Sequence, residues 1–215
     1  MSELFGSAEA FYEMFIAYNR AVWPMPVIMY MLGIAAVILM VKKAKWPDTI
    51  IAFILSFFWL WAGIVFFLMY FSKMKPIYYL VALIFVVQGV LFLLNGFGVG
   101  IKPRLSFQVR TDGYVWVGGL FILYAMVVYS LIGTATEHGY PGGPIFGTAP
   151  CPMTIFTVGM LLLTDKKVPV SMLIIPLFWA LGGVVPVVVY GVFADIGLVI
   201  AGILGTLLIV RRNKA

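Results

Sequence analysis

The chain has 215 residues, of which 64% are hydrophobic and 10% charged, and its formal net charge is +6. Soluble globular proteins carry roughly 25% charged residues, so a water-soluble fold could not cover this much apolar surface. The basic residues lie in short runs between apolar segments, a pattern that indicates membrane topology and not a nucleic-acid partner. The single cysteine, Cys151, excludes an internal disulfide and a CxxC metal cluster.

Seven apolar runs predict an all-α integral membrane protein with about seven transmembrane helices. A bilayer core of ~30 Å needs about 20 apolar residues per helix, so the chain has little room for a separate soluble domain. The fifth run is short for a full crossing, and the sequence leaves open whether it spans the bilayer or is re-entrant. The runs cover residues 22–41, 49–71, 77–95, 114–133, 151–164, 170–190 and 196–210.

Segment 1–21 precedes the first run and has apolar side chains at helical spacing. Glu9 and Glu13 lie mostly on its opposite face. This pattern predicts a short N-terminal interfacial helix. Because its polar face is acidic, we expect it to pack on the ends of the bundle and not to bind anionic lipid.

The distribution of Lys and Arg predicts the orientation, since positive charge is retained on the cytoplasmic side. Arg20, Lys73 and Lys75 lie in connections on one side of the bundle. The other eleven of the 14 basic residues lie on the opposite side: Lys42, Lys43, Lys45, Lys102, Arg104, Arg110, Lys166, Lys167, Arg211, Arg212 and Lys214. The N-terminus is therefore predicted outside and the C-terminus in the cytoplasm.

Two parts of the chain share the same order of landmarks, which predicts an internal repeat. Pro24-Met25-Pro26 opens the first run and Pro150-Cys151-Pro152 opens the fifth. Each is followed by a helix, a Lys-Lys pair, a proline and a helix with Trp near Gly. The prediction is a 3+1+3 plan of parallel repeats about an axis normal to the membrane, as in SWEET-type facilitators. A shared architecture would not give a shared substrate.

This plan divides the chain into five segments. They are the interfacial helix 1–21, a first three-helix repeat 22–95, a cytoplasmic loop with a linker helix 96–133, an outer Gly/Pro-rich loop 134–150, and a second repeat with a basic C-terminus 151–215.

Polar and aromatic side chains within the runs are candidates for a solute site near the middle of the bilayer. The alternative is that they only join neighbouring helices. The candidates are Gln88, Trp59, Trp61, Trp179, Tyr124 and Thr157.

Residues 134–154 include four glycines and four prolines, which predict a shaped backbone and not a simple connector. Cys151 lies at the start of the fifth helix and Met25 at the equivalent position of the repeat, with Met153 nearby and His138 in the adjoining loop. Thiolate, thioether and imidazole are ligands that select Cu(I). The alternative is that Cys151 is a small buried apolar residue and that the methionines fill gaps.

The predicted function is permease-like binding or translocation of a small solute or a soft metal ion at an outward-facing site. The alternative is a non-transporting accessory or assembly subunit of a larger membrane complex. All eight acidic residues lie in or beside connections, which disfavours a proton-driven pump. An enzyme with Cys151 as nucleophile and His138 as base is a third alternative, and it is disfavoured because no third group is evident to orient the imidazole. The bilayer is the expected partner, and homo-oligomerisation stays open.

The motifs around 18–24 and 140–157 carry a family resemblance. The residues are Tyr18-Asn19 to Trp23-Pro24, and Tyr140-Pro141 through Pro150-Cys151-Pro152 to Thr154-Ile155-Phe156-Thr157. They resemble an uncharacterised family of prokaryotic multi-pass membrane proteins with a Pro-Cys-Pro-Thr-Thr-Ile-Phe-Thr signature. Met153 stands at the first Thr of that signature. The resemblance implies a location in a prokaryotic plasma membrane, and it implies no activity.

Overall fold

A computed structural model describes residues 7–42, 47–109, 112–136 and 138–214. Within these ranges every regular element is helical, apart from one isolated bridge between Phe107 and Thr164. The predicted all-α class is therefore confirmed. Residues 1–6 of the predicted interfacial segment, and Lys43, Lys45 and Arg110 of the charge count, lie outside the described residues.

Ten α-helices make up most of the described chain. They are α1 (Ala8–Ala21), α2 (Met25–Val41), α3 (Pro47–Trp61), α4 (Ile77–Phe97), α5 (Tyr114–Leu123), α6 (Tyr129–Ala135), α7 (Pro150–Leu162), α8 (Ser171–Gly182), α9 (Val184–Tyr190) and α10 (Asp195–Lys214). A π-helical segment, Ala62–Tyr70, extends α3, and another, Tyr124–Val128, joins α5 to α6. π-Helical insertions are frequent at functional sites.

Several of these helices are long and apolar enough to cross a membrane. Four segments meet this condition by length and composition: Pro47–Lys73, Ile77–Phe97, Tyr114–Ala135 and Ser171–Tyr190. Helices α1 and α2 meet it together but are bent by 80°, so the number is five if that pair is one span. Large apolar side chains on the outside of the bundle are exposed, including Trp116 at 81%. These features define a membrane protein.

One end of the bundle is formed by α1 and the segment 138–149, and we call it the α1 end. The phenol of Tyr18 donates to the carbonyl of Thr148 at 2.8 Å. The amide of Asn19 donates to the carbonyls of Pro141 and Gly143 at 2.7 and 2.9 Å. These buried bonds fix α1 against the Gly/Pro-rich segment.

The opposite end contains segments 98–109 and 163–170 and the C-terminus of α10, and we call it the basic end. The Gln108 amide donates to Leu163 O at 3.0 Å. Arg212 donates to the carbonyls of Leu162 and Thr164 at 2.8 and 3.0 Å. Along the chain, the segments that join the long helices make their contacts alternately at the α1 end and at the basic end. Successive long helices therefore run in opposite directions.

Helix α7 lies at the centre of the bundle, and all 13 of its residues are buried. It packs against α5 through two glycines: a Cβ added at Gly159 would lie 2.9 Å from Gly118 O. It packs against α10 at Gly205, where an added Cβ would lie 2.2 Å from Cγ1 of Val158. Gly205 therefore allows close packing of α10 on α7 within the chain.

Candidate functional site

A cavity of about 540 Å³ lies at the α1 end of the bundle. It is lined by Phe11 and Phe15 of α1, by the end of the π-helical segment after α3, and by α4, α7, α8 and α9. The first residue of α10 also lines it. Its walls are largely aromatic and aliphatic. Ligand cavities in proteins are commonly about 300–1,000 Å³, with mostly apolar walls and a few polar groups, so this space has the size and character of a binding site.

Asp195, Cys151 and Trp179 form the main polar cluster on the cavity wall. The phenol of Tyr129, behind the wall, donates to Oδ1 of Asp195 at 2.5 Å. The Cys151 thiol lies beside the Asp195 carboxyl, the Trp179 indole and the Tyr129 hydroxyl. Within the described residues, Oδ2 of Asp195 and Nε1 of Trp179 are buried without a hydrogen-bond partner. The cavity wall therefore holds one acceptor and one donor whose nearest polar neighbour among the described residues is the Cys151 thiol, at a geometry that makes no hydrogen bond with them.

Local structure explains why these groups meet. Asp195 is the first residue of α10 and follows the turn at Gly191, which has a left-handed φ of 72°. Cys151 is the second residue of α7, where Pro150 at the helix start needs no N–H partner. Tyr129 opens α6 directly after the π-helical segment. The starts of α7 and α10 and the last turns of the continuous helix Tyr114–Ala135 thus converge beside the cavity.

Helix α1 covers one side of the cavity. The ring of Phe11 stacks on Tyr190 with 4.0 Å between ring centroids. Next to it, the phenol of Tyr12 donates to Tyr190 O at 2.8 Å, and its ring stacks on His138 at 3.8 Å. The part of the predicted interfacial segment that the structure describes is therefore a helix packed on the bundle.

The predicted solute-site residues fall into two groups, and Trp179 alone among them lines the large cavity. Trp59 and Thr157 are fully buried and bonded to each other, with Nε1 donating to Oγ1 at 3.1 Å. Gln88 is also fully buried; its amide lies 3.9 Å from the sulfur of Met172, and its Oε1 has no hydrogen-bond partner among the described residues.

The two other candidates connect helices at the α1 end. Trp61 donates from Nε1 to the Tyr18 hydroxyl at 2.9 Å. Tyr124 donates from its hydroxyl to Ala194 O at 2.9 Å, next to the Asp195 cluster. These two residues support the site and are not on its wall.

The predicted soft-metal ligands occupy different surroundings. Cys151 lines the large cavity, whereas His138 lines a smaller one beside Tyr12. Met153 is fully buried and Met25 half-buried, and both lie outside the walls of these two cavities. Among the described residues, no group of three or more His, Cys, Asp or Glu side chains is arranged to hold a metal ion. The Cu(I) set stays a prediction.

Asp195 is the functional candidate that sequence reasoning missed. Its position between two apolar runs predicted a residue in a connection, but its side chain is only 1% exposed. An ionisable side chain buried in a membrane-protein bundle is costly and commonly marks a functional site. The available signal was that no basic residue lies near it in the sequence.

Fold and cavity together are those of a helical membrane protein with an apolar internal cavity and, among the described residues, one buried acid. The sequence model of DUF6064, described as a family of unknown function, matches residues 8–215. The chain belongs to this uncharacterised family. No protein of curated function and no solved structure matches the chain significantly.

Proposed function

We propose that this protein is a permease-like membrane protein that binds a small solute in the cavity at the α1 end. One observation carries the proposal: the cavity of about 540 Å³ contains a buried carboxyl whose Oδ2 has no hydrogen-bond partner among the described residues. A carboxyl needed only for folding would have its hydrogen-bonding capacity satisfied by the protein. A bound solute would supply the partner of Asp195.

We further propose that the bundle crosses the membrane seven times, with the cavity on the outer side. The crossings would be α2, α3 with its π-helical extension, α4, α5 with α6, α7, α8 with α9, and α10. The excess of Lys and Arg at the basic end supports a cytoplasmic location for that end. The prokaryotic plasma membrane is the proposed location, and the 3+1+3 repeat stays a prediction.

The sole cysteine provides a direct test, because Cys151 lines the cavity. Methylmercury chloride is small and neutral and displaces the thiol proton. Its reaction with Cys151 can be followed by intact-protein mass spectrometry on protein in lipid nanodiscs. A Cβ added at Gly182 would have no atom within 4 Å, and Gly182 lines the cavity. We expect Gly182→Leu to occupy part of the cavity and slow the reaction at least several-fold.

Gly119→Leu is the matched control. Gly119 has the same open surroundings but lines a different cavity, between α2 and α5. Its replacement is expected to leave the reaction rate of Cys151 unchanged. If Cys151 reacts only after unfolding, or if both replacements have the same effect, the cavity is not an accessible solute site.

The competing function is an accessory subunit of a larger membrane complex. The packing of Trp59, Gln88 and Thr157 favours it, because none of these side chains is exposed. A subunit of this kind predicts that Cys151 is protected by the protein itself, and that the chain is unstable or aggregates without its partner. The methylmercury experiment therefore separates the two functions.

The soft-metal version of the site has its own test, an anaerobic Cu(I) competition titration. If the metal site exists, the wild-type protein should bind Cu(I) tightly, and both Cys151→Ala and Met25→Leu should lose this binding. Loss in Cys151→Ala alone would indicate a thiol ligand without the predicted partner from α2. If the wild-type protein binds Cu(I) no more tightly than the two variants do, the metal hypothesis is wrong.

A further inference from the structure

We infer that the cavity accepts a monovalent organic cation with an apolar, aromatic or branched body. The inference rests on the proposed solute-binding function and specifies its substrate class. It derives from two features of the same cavity, a buried carboxylate and walls of aromatic rings.

The carboxyl is Asp195, which attracts a cation in its ionised form. Its side chain is 1% exposed, and within the described residues its one hydroxyl donor is Tyr129, at 2.5 Å from Oδ1. No described Lys or Arg forms an ion pair with it. Buried charges are costly unless an opposite charge is close. A cationic ligand group at Oδ2 would place a positive charge in direct contact with the carboxyl, which no described residue does.

Eight aromatic rings line the cavity. The lining rings are Phe11, Phe15, Phe66, Phe67, Phe71, Tyr78, Trp179 and Tyr190. Several are already held in place by their neighbours: Phe66 stacks on Phe71 at 4.0 Å, and Phe67 meets Trp179 edge-on at 5.2 Å. The faces of such rings attract cations, most strongly where water is excluded, and aromatic cages are the usual binding sites of quaternary ammonium groups.

Lys75 sets a limit on the charge of the ligand. It lines the cavity and precedes α4, so it lies at the α1 end with the other cavity residues. A positive charge there opposes a cation and attracts an anion. A cation can bind only if its attraction to the Asp195 carboxyl and the aromatic rings exceeds its repulsion by Lys75. We therefore predict opposite effects of the two charged residues on cation binding.

Tetraphenylphosphonium and triphenylacetate are suitable probes, because both present bulky phenyl groups, they carry opposite charges, and neither transfers a phenyl group to methylmercury. Triphenylphosphine oxide is a neutral relative. Each is added to protein in phosphatidylcholine nanodiscs, and the rate of Cys151 modification by methylmercury is measured against the unprotected rate of the same variant. Because Cys151 is on the cavity wall, protection reports occupancy of this cavity and not partition into lipid.

We expect tetraphenylphosphonium to protect Cys151 at lower concentration than either other probe. Asp195→Asn keeps the shape of the side chain and an acceptor for Tyr129, and should raise the half-protecting concentration by about tenfold or more, the effect of losing one charged partner. Lys75→Met should lower it. Asp112→Asn is the matched control: its carboxylate accepts from Tyr114 N at the start of α5, remote from the cavity, and no change is expected.

The cation inference would be overturned if all three probes protected Cys151 equally, or if the Asp195→Asn variant bound the cation as well as wild type does. Either result would leave an accessible solute cavity. Protection by triphenylacetate alone would overturn the inference as well and assign the site to anions. Absence of protection by every probe, with Cys151 still reactive and sensitive to Gly182→Leu, would also overturn it. A Cys151 that does not react in the folded protein would instead refute the proposed solute-binding function.

Discussion

Replacing Arg212 with alanine is expected to lower the free energy of unfolding by about 3 kcal/mol. The last carbonyls of an α-helix have no partner within the helix, and at the end of α7 this guanidinium supplies one. It donates to Leu162 O at 2.8 Å, Thr164 O at 3.0 Å and the Thr164 hydroxyl at 2.8 Å. Leu162 and Thr164 are buried, so their oxygens would lose a partner that water replaces poorly.

The magnitude follows from these three bonds. A hydrogen bond to a charged group contributes about 1.5–3 kcal/mol net. Arg212 is itself half-exposed, so solvent offsets part of that value, and we assign about 1 kcal/mol to each bond. Arg212→Lys should retain only part of the effect, because one ammonium group cannot match the planar fork of five donors.

The assay is reversible unfolding of the purified protein by SDS titration from detergent micelles, followed by far-UV circular dichroism and tryptophan fluorescence. Arg211→Ala is the matched control, because Arg211 is adjacent, carries the same charge and is exposed. Its replacement should change the stability by less than about 0.5 kcal/mol. If the two alanine variants lose the same amount, Arg212 does not stabilise the end of α7 as argued.

Three further predictions concern packing and the attachment of α1. Gly205→Leu should cost about 1–3 kcal/mol in the same unfolding assay, because the new Cβ would lie 2.2 Å from Val158; unchanged stability would show that α7 and α10 separate easily. Trp59→Phe should cost about 1–2 kcal/mol by leaving the buried Thr157 hydroxyl without its donor, and a double-mutant cycle with Thr157→Val should be non-additive. Asn19→Ala removes bonds to two loop carbonyls, so amide hydrogen exchange in α1 should increase more than in α4; equal increases would contradict a local role.

The sequence predicted the helices well because apolar runs must be long enough to cross a bilayer. The predicted run 77–95 corresponds to Ile77–Phe97, and 170–190 to the helices from Ser171 to Tyr190. It could not predict the π-helical segments after Trp61 and Leu123, since no proline marks them. The length of the fifth run showed that it differs from the other runs. It did not show that every residue of α7 is buried.

The site was predicted only in part, because most of these helices are apolar all around. Hydropathy then does not tell which face is inward. Trp179 and Cys151 were predicted for two different sites and line one cavity, whereas Gln88 and Trp59 are enclosed by neighbouring helices. Asp195 was missed because a residue between two apolar runs is ordinarily in contact with water. It is buried beside Tyr129 and Cys151, which lie in distant parts of the chain.

The shortness of α7 has a consequence for the depth of the cavity. At 1.5 Å per residue, 13 residues reach about 20 Å, roughly 10 Å less than a helix that crosses the bilayer core. Surrounding helices shield α7 from lipid, so the shortfall need not deform the bilayer. It instead leaves a recess above Cys151, between longer helices and below α1. Lengthening α7 by two turns at its first residue would replace that recess with protein, so the number of residues in α7 determines the depth to which a solute could enter.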